Sequence, residues 1–171
     1  CNPIFHQKVD TKTKIEIAGK YNLPEKYILN VGTVEKRKNS LSILKAMHAG
    51  KFDLSLIIVG AKTDYQNEVV KFARENALED KLIIFNNFPF ADLPALYQQA
   101  EMFIYPSVFE GFGIPIIEAL YSRIPVITTK GGVFSETGGF SSIYVEHDNI
   151  EKISESISDL LNDKELREKM I

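Results

Sequence analysis

The sequence predicts a doubly wound, Rossmann-like α/β fold built on a parallel sheet of about six strands. Apolar runs of about five residues alternate along the chain with helical patterns of about ten. The runs are continuously apolar, as strands must be when helices cover both faces of a sheet. Glycine closes the first two runs, at Gly32 and Gly60.

Residues 1–24 are polar and weakly patterned and read as a linker or leading segment. It carries a short helix near 12–20, closed by Gly19 or Asn22 ahead of Pro24. Residues 25–171 read as one domain. "YILNVG" is the first strand. "NSLSILKAMHAG" follows with Leu41, Leu44 and Met47 at helical spacing and Asn39 or Ser40 as N-cap. "LSLIIVG" is the second strand and "NEVVKFARENA" the next helix. "KLIIF" is the third strand, and "ADLPALYQQA" is a helix with Asp92 as its cap. "MFIYPS", "PVITT" and "SIYV" complete the strands, and "IPIIEALYS" is the helix between the first two of these. "NIEKISESISDLL" and "DKELREKM" close the chain as helices, the stripe Ile153, Ile157, Leu160 and Leu161 facing the core.

The chain has 171 residues, enough for one domain with a proper core. Its net charge of −3 and pI near 5.7 provide no basic field for nucleic acid. Cys1, the single cysteine, can form no internal disulfide, which suits a reducing, cytoplasmic compartment. No apolar stretch approaches bilayer length, and no signal peptide is present. The chain begins without Met and ends within a helical pattern, so it reads as a piece of a longer protein.

In doubly wound sheets ligands bind where strands end at their carboxyl edge. After the fourth strand, Glu110 and Glu118 flank Gly111, Phe112, Gly113, Ile114 and Pro115 at a helix start. Pro115 fits the first turn, the glycines let backbone come close to a ligand, and free N–H groups at the helix start attract an anion. Ionised carboxylates on either side suit pairs of sugar hydroxyls, so the run fits ribose, diphosphate and sugar in series. Near a helix N-terminus such carboxylates are expected to stay ionised. After the first strand, Gly32 is followed by Arg37 and Lys38, a planar fork and a point charge for a diphosphate. After the fifth, Gly131 and Gly132 precede Glu136; they read either as N–H donors to a ligand or as a plain turn.

Several chemistries are absent. There is no P-loop, and "GFGIPI" lacks the third glycine of a dinucleotide fingerprint and follows the wrong strand. No Asp-x-Asp pair is present to hold a metal on a diphosphate, so no metal and no cofactor are expected. His6, His48 and His147 have no partners at ligand spacing and read as structural or solvated.

Taken together, "YILNVGTVEKRKN", "LSLIIVG", "LIIFNNF", "LPALYQQAEMFIYPSVFEGFGIPIIEAL", "PVITTKGGVFSE" and "LLNDKELREKM" resemble the C-terminal, donor-binding half of a retaining glycosyltransferase of the GT-B fold, in glycosyltransferase family 4 (glycosyl transferases group 1). The resemblance spans about residues 25–171. It implies that Glu110 binds hydroxyls of the donor sugar and that Phe112, Gly113 and Ile114 offer backbone N–H groups to the sugar and diphosphate. Glu118 would bind the ribose hydroxyls. Arg37 and Lys38 would grip the diphosphate, and Gly32 would let it approach. Glu110, Arg37 and Lys38 would be the residues closest to the chemistry. Asn87, Phe88 and Pro89 would meet the base through backbone atoms; Asn87 stands where many relatives have glycine, so the base stays open. The resemblance further implies a hexosyltransferase using a nucleotide-diphosphate sugar for polysaccharide, lipopolysaccharide or glycolipid synthesis. The N-terminal half would bind the acceptor and make any peripheral membrane contact. The leaving diphosphate would guide the acceptor onto the same face, and this piece alone would transfer little. Two other readings are a non-catalytic α/β interaction module and another GT-B enzyme, such as a sugar-nucleotide epimerase or a phosphorylase. Intact Glu110, Glu118, Arg37 and Lys38 favour the transferase.

Overall fold

The computed structural model describes all 171 residues. Six strands, β1 (Tyr27–Val31), β2 (Ser55–Val59), β3 (Leu82–Phe85), β4 (Met102–Tyr105), β5 (Val126–Thr129) and β6 (Ser142–Val145), form one sheet in the order β3-β2-β1-β4-β5-β6. Every neighbouring pair is parallel, with Ile28 beside Leu56 on one flank and Met102 on the other. The alternation of a strand sends successive side chains to opposite faces. Ile28, Leu56, Ile58 and Ile104 enter a core beneath α2 (Ser40–Gly50), α3 (Tyr65–Glu75) and α7 (Ile150–Asn162). Leu29, Ile57, Phe103 and Tyr105 enter a second core beneath α4 (Leu93–Tyr97) and α5 (Ile114–Tyr121). Two covered faces explain why the strands read as unbroken apolar runs. The short α6 (Gly132–Gly138) follows β5, and α8 (Lys164–Met170) ends the fold. No helix is long and apolar enough to cross a membrane.

The chain moves outward from β1 through β2 to β3, then returns to the other side of β1 with β4. The strand order therefore reverses between β1 and β4, and the carboxyl edge at such a reversal is where doubly wound sheets form their ligand crevice.

The leading segment is docked rather than loose. Phe5, in a 3-10 turn over Pro3–His6, is fully buried, edge-on to Tyr97 at 5.5 Å and to Phe90 at 5.7 Å. Burying a phenylalanine is worth about 1.5–3 kcal/mol, and one aromatic in a polar stretch leaves no periodicity for a sequence reading to detect. Gln98 clamps the same segment, accepting from the Val9 N–H and donating to the Gln7 carbonyl. The expected first helix is α1 (Thr11–Tyr21), capped by the Asp10 carboxylate on the Thr13 N–H and closed by Asn22 in the left-handed conformation.

Two expected caps are corrected. Asp92 does not cap α4; its carboxylate accepts from Lys20 and Tyr21 of α1, and α4 runs only five residues. Asn39 holds the position before α2 with φ near +55° but caps nothing. Its amide donates instead to the carbonyls of Pro106 and His147, tying the β1, β4 and β6 loops together.

Candidate functional site

The floor of the crevice is stitched by backbone. The Val108 N–H and the Ser107 hydroxyl both donate to the Arg37 carbonyl, at 2.8 and 3.1 Å, and Thr129 donates to the Ser107 carbonyl at 2.7 Å. The loops after β1, β4 and β5 are thereby fixed against each other.

On this floor the structure brings Glu110 onto the adjacent pair Arg37 and Lys38, 72 residues from Lys38 in sequence. One carboxylate oxygen of Glu110, Oε1, accepts from Lys38 Nζ at 2.7 Å, from Arg37 at 2.9 Å and from the Ser107 hydroxyl. The other oxygen takes no bond from the chain. Burial alone would raise the Glu110 pKa; the bonds from Lys38, Ser107 and Arg37 outweigh it and hold the group below the usual carboxylate value. Glu110 is therefore held toward its ionised form, with one oxygen unbonded. Lys38, expected as a point charge for a diphosphate, is largely buried. Its ammonium donates to the Tyr105 hydroxyl at 2.6 Å and lies 5.0 Å from the centre of that ring. Arg37 is more open and also reaches Glu35 and the Phe109 carbonyl, both at 2.6 Å.

Helix α5 starts at the crevice mouth. Gly113 precedes it with φ +77°, a conformation natural to glycine. A Cβ there would also stand 3.1 Å from the Thr137 hydroxyl of α6. The N–H groups of Phe112, Gly113 and Ile114 donate to nothing in the chain, while the side chains of Phe112 and Ile114 are exposed. Together with the helix dipole they form a ready anion cradle. Gly111 has open space where a Cβ would go, so no steric reason for glycine exists there.

Glu118 lies one turn and more into α5 and is buried; its Oε2 accepts from the Tyr97 hydroxyl at 3.0 Å, and its Oε1 is unbonded. Its pKa runs against the expectation of a readily ionised group. Burial raises it, and the Tyr97 bond only partly offsets that. The helix dipole acts within the first turn, and Glu118 is the fifth residue of α5, so desolvation wins. Burial also keeps the Tyr97 phenol protonated, so it stays a donor.

The remaining sequence candidates spread outward. Gly32 leaves β1 at φ +147°, with Lys38 Cε 3.3 Å from the position of an added Cβ. Asn87 and Phe88 follow β3, two strands from β1, or roughly 10 Å at the ~4.8 Å strand spacing. Asn87 is exposed; the Phe88 ring packs on Tyr21 and Phe85, leaving its backbone for any ligand. Gly131 and Gly132 lead into α6, and Glu136 is exposed and bonded to nothing. No three His, Cys, Asp or Glu side chains gather as a metal set. Sequence reasoning missed Tyr97, Tyr105 and Ser107. The tyrosines sit in apolar runs and read as core, and Ser107, two residues past the end of β4, reads as the last residue of the strand run "MFIYPS".

The residue pattern of one family, described as glycosyl transferases group 1, matches residues 11–171. The chain belongs to the glycosyl transferases group 1 family. Among curated relatives it is 35% identical over 144 residues to the O-antigen chain mannosyltransferase RfbU of Salmonella typhimurium, covering 78% of this chain and 41% of the relative. It is 30% identical over 159 residues to the O-antigen chain mannosyltransferase B of Escherichia coli, covering 90% of this chain and 42% of that protein. This group 1 chain thus spans less than half the length of these relatives. Among solved structures, a glycosyltransferase from Rickettsia africae superposes with a TM-score of 0.89 at 24% identity, covering 98% of this chain and 47% of the other. The likeness shows the fold of a GT-B C-terminal domain for this group 1 chain.

Proposed function

We propose that this chain is the donor-binding half of a retaining, metal-independent hexosyltransferase of family 4, taking a nucleotide-diphosphate sugar for polysaccharide, lipopolysaccharide or glycolipid synthesis on the cytoplasmic side. The observation that carries it is the pair Glu110 and Glu118, each with one unbonded oxygen, on either side of three free N–H groups at the start of α5. In this reading Glu118 takes the ribose hydroxyls, the free N–H groups and the Arg37–Lys38 pair take the diphosphate, and Glu110 takes the sugar. The two cations and the helix dipole supply the positive charge that stabilises a departing diphosphate, so no metal or cofactor is invoked. The acceptor, and any membrane contact, belongs to a partner half. The names of the relatives, both O-antigen mannosyltransferases, support a polysaccharide role.

A thermal-shift panel of UDP, GDP and ADP with their hexose conjugates tests this. At least one nucleoside diphosphate should raise the melting temperature, by the amount expected for ligand that binds only the native state. No stabilisation of the folded chain by any member would sink the reading.

A pH dependence follows from Glu118. Ribose hydroxyls bind its ionised form, whereas burial in the free chain favours the protonated form. Nucleoside affinity should therefore fall as pH drops from neutrality toward the raised pKa of Glu118, above the ordinary 4.5. Calorimetric titration with uridine and guanosine measures this, free of phosphate titration. Glu118→Gln should flatten the profile; a wild-type affinity independent of pH would refute the assignment.

A further inference from the structure

At the far end of α5, away from the crevice, a cavity of about 370 Å³ opens at the amino ends of β4 and β5. His6, Lys8 and Lys14 line it from the leading segment, and Tyr121, Ser122 and Arg123 line it from the end of α5. No carboxylate lines it, although the chain as a whole is net negative. Lys8, Lys14 and Arg123 form no ion pair anywhere in the chain. Lys14 feels its surroundings: partial burial and the Lys8 charge hold its ammonium below the usual lysine value. Like charges gathered without a counter-charge oppose folding, unless something else neutralises them.

Three further observations point to the same place. Arg123 holds φ +55°, closing α5 where glycine is the unstrained choice, so a bulky cation is kept at backbone expense. Ser122 is buried, and its hydroxyl has no hydrogen-bond partner; such orphans are rare in native interiors. The His6 ring stacks on Tyr121 at 3.8 Å and 18°, and its nitrogens bond to nothing in the chain. The guanidinium and two ammoniums can only donate hydrogen bonds, and the imidazole and the Ser122 hydroxyl beside them can each donate one.

We propose that this cavity is a second ligand site, specific for a phosphate ester and separate from the donor crevice. Two unesterified oxygens of a phosphate meet the Arg123 fork in bidentate fashion, and its negative charge meets the two lysines as point charges. The cavity has room for roughly a dozen waters at about 30 Å³ each, enough for the phosphate and the organic group esterified to it. The site does not depend on what the crevice binds. Its phosphate can come from a soluble ester or from the headgroup of an anionic lipid.

The test uses ¹H–¹⁵N spectra of the 171-residue chain titrated with inorganic phosphate, alongside flotation with vesicles of phosphatidylcholine alone or mixed with phosphatidylglycerol. Saturable shifts at residues 6–14 and 121–123 are expected. Each of Arg123→Gly and Lys14→Gln should weaken them about tenfold, the loss of one charge-assisted bond. Arg123→Gly relieves the left-handed strain, so its melting temperature should hold or rise, which separates lost binding from lost folding. Flotation with phosphatidylglycerol vesicles only, lost in Arg123→Gly, assigns the lipid source; phosphate binding without flotation assigns the soluble one. Absence of both, shifts confined to the Arg37–Lys38 crevice, or undiminished binding by a folded Arg123→Gly would overturn the proposal.

Discussion

Lys38→Ala is expected to abolish nucleoside diphosphate binding and to lower stability by about 2–3 kcal/mol, approaching the loss seen when one partner of a buried ion pair is removed. Lys38 and Glu110 have side chains only 11% and 10% exposed, and their bond is 2.7 Å. Without the ammonium, Glu110 keeps Arg37 and Ser107 but loses a leading cause of its depressed pKa. The sign follows from that shift. A carboxylate held below its unfolded value contributes stability above about pH 4.5, and the contribution disappears as pH falls through the folded value. The variant should therefore have a lower urea midpoint at neutral pH, and its deficit should shrink below the ordinary carboxylate range. Tyr105 would also lose the ammonium over its ring. Affinity for a nucleoside diphosphate should drop about 100-fold or more, corresponding to ~2.7 kcal/mol, because the deepest cation of the crevice is gone. Equilibrium urea unfolding and calorimetric titration check the two parts separately. Unchanged stability and unchanged affinity would mean that Lys38 belongs to neither.

Gly60→Ala is expected to be at least as damaging, although Gly60 touches no proposed ligand. A Cβ there would lie 1.9 Å from the Gly32 carbonyl oxygen and 2.4 Å from its carbon, both backbone atoms that no rotamer can clear. The two loops are pinned from both sides: Gly60 donates to Phe85 at 3.0 Å and Gly32 to Val59 at 2.8 Å. The ends of β1 and β2 would have to separate, displacing the turn that carries Arg37 and Lys38. A cost of about 3 kcal/mol or more is the scale of forced overpacking against rigid neighbours. Its measurement is a fall in the urea midpoint with m unchanged, accompanied by weakened diphosphate binding. Gly111→Ala, in open space, should stay within about 0.5 kcal/mol of the wild type. Equal effects at the two glycines would contradict the packing described.

The strands were legible because both faces of the sheet are covered, which leaves short apolar runs along the chain. Glu110, Arg37 and Lys38 were legible as candidates because they follow strand ends, where a doubly wound sheet gathers ligands, and the structure brings these three together. What escaped the sequence depends on contacts between distant segments. Asp92 looks like a helix cap until Lys20 and Tyr21 arrive from α1. Phe5 looks incidental in a polar stretch until Tyr97 and Phe90 enclose it. Tyr97 and Tyr105 count as apolar in any periodicity, yet their hydroxyls hold Glu118 and Lys38. The upward direction of the Glu118 pKa was hidden for a related reason. Position along a helix is visible in sequence, whereas the degree of burial that overrides the dipole is not.

The most direct test of a crevice that reads ribose at one carboxylate and sugar at the other is calorimetric titration of Glu110→Ala and Glu118→Ala. The probes are the nucleoside diphosphate and nucleotide-hexose that bind the wild type best. Glu118→Ala should lose affinity for both ligands alike, and Glu110→Ala should lose affinity for the sugar-bearing ligand while keeping the bare diphosphate. Equal loss of the bare diphosphate in the two variants would contradict the division of the site.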